Sequence, residues 1–281
     1  MRALDKDDAD YPAALKDLPD APQTLWCIGD LTVLDRPVVA IVGTRRSTMY
    51  GERITRELAS ALAKAGACVI SGMARGIDGV AHVAALDAGG VTGAVLGTGV
   101  DIPYPPSHRA LYNRIAASGV LFSELPPGAH SHGGSFPQRN RLIAALAKVT
   151  IVVEAPVKSG ALRYTAHFAR ELNREVAAVL GPIDSPQSEG CNLLARDGAH
   201  AITSVADALA LVGVTPPLRS LREPADPDQS RVWEALHDGA ADLDTLCHRA
   251  SLPVHRCLAA VTALELNGTI ECALTGEIRR R

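Results

Sequence analysis

The run Gly134-Ser135-Phe136-Pro137-Gln138-Arg139-Asn140-Arg141-Leu142-Ile143-Ala144 sets an aromatic ring, a rigid Pro and two guanidinium groups around the start of an apolar helix. Arg139 and Arg141 can pair with phosphates, and the first-turn N–H groups of a helix beginning near Pro137 point at the same anion. Phe136 offers a face on which a base can stack. That chemistry suits nucleic acid with unpaired bases. Taken alone, the run reads equally well as a capped surface helix with solvated arginines.

Other loops carry related chemistry. Gly43-Thr44-Arg45-Arg46-Ser47 follows a short β-branched run. Gly43 allows close backbone approach, Thr44 and Ser47 supply hydroxyls, and Arg45 reaches a phosphate held at the helix start. A tight turn with a helix cap is the simpler alternative. No Gly-x-Gly-x-x-Gly is present, and the second strand ends in Ser71 instead of the acid that holds a dinucleotide ribose, which argues against a dehydrogenase. In Ser71-Gly72-Met73-Ala74-Arg75-Gly76-Ile77-Asp78, Gly72 and Gly76 make the backbone approachable and Ser71 can donate to an anion. Asp78 reads first as a first-turn acid stabilised by the helix dipole and second as a general base. The Pro-stiffened stretch 97–105 forms a fixed lip, and Lys158-Ser159-Gly160-Ala161-Leu162 opens a further helix. Four anion-ready loops on one sheet edge make a groove, which suits an extended polyanion better than a mononucleotide.

Repeated strand–loop–helix units must position these loops. Apolar runs at 37–42, 68–70, 91–96, 120–122, 149–153 and 175–179 read as strands covered on both faces. Helical patterns fill 50–65, the stretch through 88, 107–117, 137–147, 160–172 and 189–196. The fold class is α/β, an extended Rossmann-like, mostly parallel, doubly wound sheet whose ligands gather outside the carboxyl ends of the strands. Residues 1–36 form a short extension packing on the core, with a helix expected over 5–18 and an edge strand over 25–28. The core domain is 37–214. A Pro-rich linker is expected over 215–229. In 230–281, three helices (230–237, 243–250, 253–267) and two strands (268–272, 277–280) around Thr275-Gly276 follow the order of a winged helix.

At 281 residues the chain can bury one large and one small core, and its net charge of −3 gives no overall attraction to nucleic acid, so any such binding needs a local basic patch. Six cysteines without a Cys-x-x-Cys pair, and no leader or long apolar run, point to a reducing cytoplasm without a membrane anchor. His130 and His132 lack a third ligand nearby, so no metal, other cofactor or catalytic residue is expected.

The ordered motifs Ala40-Ile41-Val42-Gly43-Thr44-Arg45-Arg46, Ser71-Gly72-x-Ala74-x-Gly76-Ile77-Asp78, Gly97-x-Gly99-Val100-Asp101-x-x-Tyr104-Pro105, Phe136-Pro137-x-Arg139-Asn140-Arg141 and Glu154-Ala155 with Ser159-Gly160-x-Leu162 resemble those of the DNA-processing protein A (DprA, also called Smf) family. The resemblance runs from about Tyr11 to Ile202. It implies homodimerisation, binding and protection of single-stranded DNA, and loading of a RecA-type recombinase during natural transformation, with single-strand-binding protein as a further partner. Family DNA contacts carry onto Gly43, Thr44, Arg45, Ser71, Gly72, Phe136, Arg139, Asn140, Ser159 and Gly160; Arg46, Arg141 and Lys158 join them as neighbouring cations. Thr44 stands where Ser is common, Gln138 replaces a frequently basic residue, and Arg163-Tyr164-Thr165 departs by one residue from the usual spacing.

From Ala225 to Arg281 six Lys and Arg face nine Asp and Glu. This acidic module is suited to protein contact or self-regulation more than to duplex DNA. The rival reading is a Rossmann hydrolase of nucleoside monophosphates, for which Glu154 is the one nearby carboxylate and the paired acids of that chemistry are absent.

Overall fold

The computed structural model describes residues 1–215, 226–273 and 276–280. The chain divides into two compact units, Met1–Pro217 and Leu218–Arg281.

In the first unit, strands β1 (Arg2–Asp5), β2 (Thr24–Gly29), β3 (Val38–Val42), β4 (Cys68–Ser71), β5 (Val91–Leu96), β6 (Val120–Ser123), β7 (Val149–Val152), β8 (Glu175–Val179) and β9 (His200–Ile202) form one sheet in the order β1-β2-β6-β5-β4-β3-β7-β8-β9. All neighbours are parallel except at β2, which runs against both β1 and β6. The central strands β3, β4, β6 and β7 are buried at every residue, because helices cover both faces of the sheet.

Helices α2 (Met49–Lys64), α3 (Ile77–Asp87), α4 (Arg109–Ser118) and α8 (Val205–Val212) pack on one face, where Ile41, Leu58, Leu62, Val69, Ile77, Ile151 and Leu209 share a core. Opposite lie α1 (Ala13–Lys16), α5 (Ser135–Leu146), α6 (His167–Glu171) and α7 (Pro186–Arg196), meeting Ile70, Val95, Phe122, Leu142 and Val152. Chain order runs outward from β3 in both directions, toward β4 on one side and β7 on the other. The loops after β3 and β7 therefore diverge and leave a crevice at the carboxyl ends of the strands.

Some boundaries differ from the sequence reading. The expected helix over 5–18 is a strand, a turn and the short α1: Asp8 accepts from the N–H of Asp5 at 2.8 Å, and such acidic side chains favour turns over helix. The segment near 25–28 is not the edge, since β1 pairs outside it and both strands join the main sheet. Helix α8 and strand β9 were not expected, although Ser204 and Asp207 form a capping box legible in sequence. The expected helix 160–172 is a π-helical turn, Ala161–Ala166, running into α6.

The second unit is the winged helix. Helices α9 (Pro227–Ala235), α10 (Leu243–Ala250) and α11 (Val254–Leu266) and strands β10 (Ile270–Cys272) and β11 (Ile278–Arg280) enclose Val232, Trp233, Leu246, Cys257, Val261, Leu264, Ile270 and Ile278. Arg280 stacks with its guanidinium carbon 4.0 Å from the Trp233 ring centroid. Residues 216–225 of the expected linker, and Thr275 in the expected turn, lie outside the described residues. Pro227, placed in that linker by composition, opens α9 behind an Asp226 cap.

Candidate functional site

A cleft of about 470 Å³ opens at the carboxyl ends of β3 and β7. It brings together ten of the sequence-derived positions: Gly43, Thr44, Arg45 and Arg46 after β3, Phe136, Arg139 and Asn140 on α5, and Lys158, Ser159 and Gly160 after β7. Backbone bonds tie the loops to one another. The N–H of Thr44 donates to the Glu154 carbonyl at 2.7 Å, and that of Ile77 donates to the Thr44 carbonyl at 3.3 Å. The Thr44 hydroxyl accepts from the N–H of Arg46 at 3.2 Å, shaping the turn that carries Arg45 and Arg46 into solvent.

Phe136 is half-buried. Its ring lies against Gly97, where a Cβ would stand 2.7 Å from Phe136 Cδ1, so only glycine lets the ring take this seat. Tyr104, from the Pro-stiffened lip, sits with its ring centroid 5.0 Å away at 38°, and the Arg45 guanidinium carbon is 5.4 Å from the Phe136 centroid. Phe136 and Arg45 therefore line the cleft together, and the exposed Tyr104, which is not among the lining residues, neighbours the Phe136 ring. The sequence reads this stretch only as a fixed lip, and the structure adds Tyr104 to the aromatic surface. Its signal was an aromatic on a rigid loop beside glycine-rich motifs.

Arg139 and Arg141 do not form one clamp. Both fall inside α5, and residues two apart on a helix point to different sides. Arg139 turns toward the cleft but is 5% exposed, donating from Nη1 to the carbonyls of Gly72, at 2.8 Å, and Val95. Burial pushes its guanidinium down to about 10, partly offset by the nearby Asp78 carboxylate. Asp78 is pushed up by burial and pulled back by Arg139 and by the N–H groups of Ala74 and Gly72. Arg139 is thus a fixed charge in the cleft floor, held by backbone carbonyls near the Asp78 carboxylate, instead of a mobile hand. Arg141, 3% exposed, leaves the cleft altogether: Nε lies 3.0 Å from Asp20 and Nη2 2.5 Å from Glu124, joining α5 to the N-terminal segment and to the end of β6.

Ser71 and Gly72 are likewise structural in place. The Ser71 hydroxyl donates to the Ile41 carbonyl at 2.7 Å and is fully buried. A Cβ on Gly72 would lie 2.5 Å from Arg139 Nη2, so this glycine makes room for the guanidinium and not for a ligand. Neither lines the cleft.

At the far wall, Ser159 Oγ accepts from the N–H of Leu162 at 3.3 Å and starts the π-helical turn, which presents Tyr164 and the buried Thr165 to the cleft. π-Helical turns recur at functional sites because they re-aim side chains. Thr165 reaches the cleft despite the shifted spacing. Glu154 does not line it: its carboxylate accepts from the N–H and hydroxyl of Thr48 at 2.9 and 2.5 Å, fastening β7 to the start of α2. The one carboxylate among the lining residues is Asp78. Among the described residues no cluster of His, Cys, Asp or Glu is arranged to hold a metal.

The DNA recombination-mediator protein A family model matches residues 2–213, and the DprA winged helix domain model matches 216–273. A putative DNA processing protein DprA of Mycobacterium tuberculosis is 43% identical over 262 residues, covering 90% of this chain and 67% of the relative, so the chain spans about two thirds of that protein's length. The X-ray structure of DprA from Streptococcus pneumoniae superposes with a TM-score of 0.72 at 38% identity, over 75% of this chain and 74% of that one. DNA processing protein A from Helicobacter pylori, described for its single-stranded DNA binding mode, superposes with a TM-score of 0.69 at 33% identity, over 76% of this chain and 97% of that one.

Proposed function

This chain belongs to the DNA recombination-mediator protein A family, and on that premise we propose that it binds single-stranded DNA in the cleft between β3 and β7. The observation that carries the reading is the meeting of Phe136, Tyr104 and Arg45 beside the cations Arg46, Arg139 and Lys158. A base stacks on the aromatic pair while phosphates run along the basic loops, a combination indifferent to sequence and closed to a paired duplex. The bound strand is protected there and is handed to a RecA-type recombinase during natural transformation, displacing single-strand-binding protein. Two subunits gripping one strand would gain avidity, so the reading includes a homodimer. Ser159 and Gly160, at the start of the π-helical turn, receive the phosphate at the far wall.

No described helix is long and apolar enough to cross a membrane, and all six cysteines are free, which supports a cytoplasmic location. The winged helix serves protein contact in this reading. Arg256 on α11 is held by Asp228 through two bonds of 2.6 Å, and the same helix exposes Val254, Leu258 and Leu266. Glu154, the carboxylate on which the nucleotide-hydrolase alternative rests, is committed to Thr48 and does not line the cleft.

Titration with an unstructured dT oligonucleotide, a duplex of equal length and dTMP tests the cleft: the single strand should bind well ahead of both. Equal affinity for duplex would overturn the reading. Sedimentation, together with recombinase filament growth on strand coated by single-strand-binding protein, tests the loading step. A strict monomer that leaves filament growth unchanged would remove it.

A further inference from the structure

A second cleft, of about 680 Å³, lies between α2 on one side and α3 and α4 on the other. Four arginines line it (Arg45, Arg46, Arg56 and Arg114), against the single carboxylate of Glu52. In a chain of net charge −3 that is a concentrated positive patch. Arg45 and Arg46 belong to both clefts, so the two meet across the crest of the loop after β3.

The second cleft differs from the first in chemistry. Phe, Tyr and Trp are absent from its lining, whose remaining residues are small or aliphatic apart from His108 and serines. Such a wall offers no stacking surface, but it can neutralise a phosphate backbone. Arg56 and Arg114 are exposed; Arg56 touches the half-buried Glu52 at 3.0 Å and Arg114 the exposed Asp87 at 2.5 Å, and pairs this open to water exchange readily for phosphate.

We propose that the groove lined by Arg46, Arg56 and Arg114 is a backbone-only extension of the single-strand path, taking the phosphates of the strand as it leaves the aromatic cleft over Arg45. The proposal rests on the first cleft being the single-strand site. It assigns each cleft its own role: base stacking at Phe136 and Tyr104, and phosphate neutralisation between α2 and α4.

The test compares dT oligomers of about 6 and about 16 nucleotides, short and long relative to the usual span of a single-strand site. Arg56→Ala/Arg114→Ala removes two cations outside the first cleft, and Ala110→Glu adds an exposed carboxylate to the wall of the second. With the long oligomer, the double variant should flatten the plot of log affinity against log salt by about 1.4, the contribution of two phosphate contacts on a single strand. Ala110→Glu should weaken the long oligomer as well. Short-oligomer affinity and melting temperature should match wild type for both variants. Unchanged long-oligomer binding in both variants, or equal weakening of the short oligomer, would overturn the extension and leave the first cleft standing. If the wild-type protein binds neither oligomer, the first-cleft reading falls and the extension with it.

Discussion

Arg139 donates to the carbonyl of Gly72 at 2.8 Å, although 67 residues separate them, and the absence of a side chain on Gly72 is what admits the guanidinium. The same nitrogen reaches the Val95 carbonyl, so one buried cation joins α5 to the ends of β4 and β5. Arg139→Lys keeps the charge but loses the planar fork. It should lower the melting temperature, and Gly72→Ala should do the same by driving a Cβ into Nη2. A Gly72→Ala protein with wild-type melting and wild-type affinity would contradict this seat.

Arg45 and Arg141 should separate binding from stability. Arg45→Ala should reduce the salt dependence of single-strand affinity by about 0.7, one phosphate contact. Arg141→Ala should leave affinity per folded molecule intact while costing about 1–3 kcal/mol of stability, because Glu124 loses its partner in a half-buried site. Isotherms at several salt concentrations, with denaturant melts, would show both. Loss of salt dependence in Arg141→Ala would return that residue to the DNA path.

Phe136→Ala should weaken single-strand binding by about 1–3 kcal/mol without altering the salt dependence, as expected for a lost stacking partner. Gly97→Ala should give a loss in the same direction, since its Cβ would meet the Phe136 ring at 2.7 Å. If both variants melt early yet bind fully once folded, Phe136 is a packing residue.

His82 gives the core unit a pH dependence. Its Nδ1 lies 2.7 Å from Thr92 Oγ1, and that hydroxyl spends its own proton on the Val69 carbonyl, so the ring donates from Nδ1 and Nε2 is left bare and buried. Burial, with His108 and Arg139 nearby, pushes His82 down to about 3. The folded state then binds fewer protons than the unfolded chain, whose His titrates near 6.5. Stability from this group is present above pH 6.5 and is lost as pH falls toward about 3, at up to about 1.4 kcal/mol per pH unit. Urea midpoints between pH 7 and 5 should fall less steeply in His82→Met; parallel curves would refute the assignment.

A chain ending near residue 224 should fold and still bind single-stranded DNA, because the cleft is built entirely from residues before 166. Circular dichroism and titration of the truncated protein would check this. A large loss of affinity in a folded truncation would place DNA contacts on the winged helix.

The order of apolar strands, loops and helical patterns was enough to specify a doubly wound sheet and the winged helix that follows, because strand burial and helix periodicity are local properties written in consecutive residues. Gly43, Thr44, Arg45, Phe136 and Ser159 stood out for the same reason. The direction taken by each side chain was not local. Arg139 and Arg141 look alike in sequence, yet helix geometry sends one to the cleft floor and the other to Asp20 and Glu124. Ser71 and Gly72 look like ligands until the Ile41 carbonyl and the Arg139 guanidinium claim them. Tyr104 joins Phe136 only because β5 and α5 are packed together. A loop declares what it can offer; which groups remain for a ligand is decided by neighbours far away in the chain, since every buried polar group must first find a partner inside the protein.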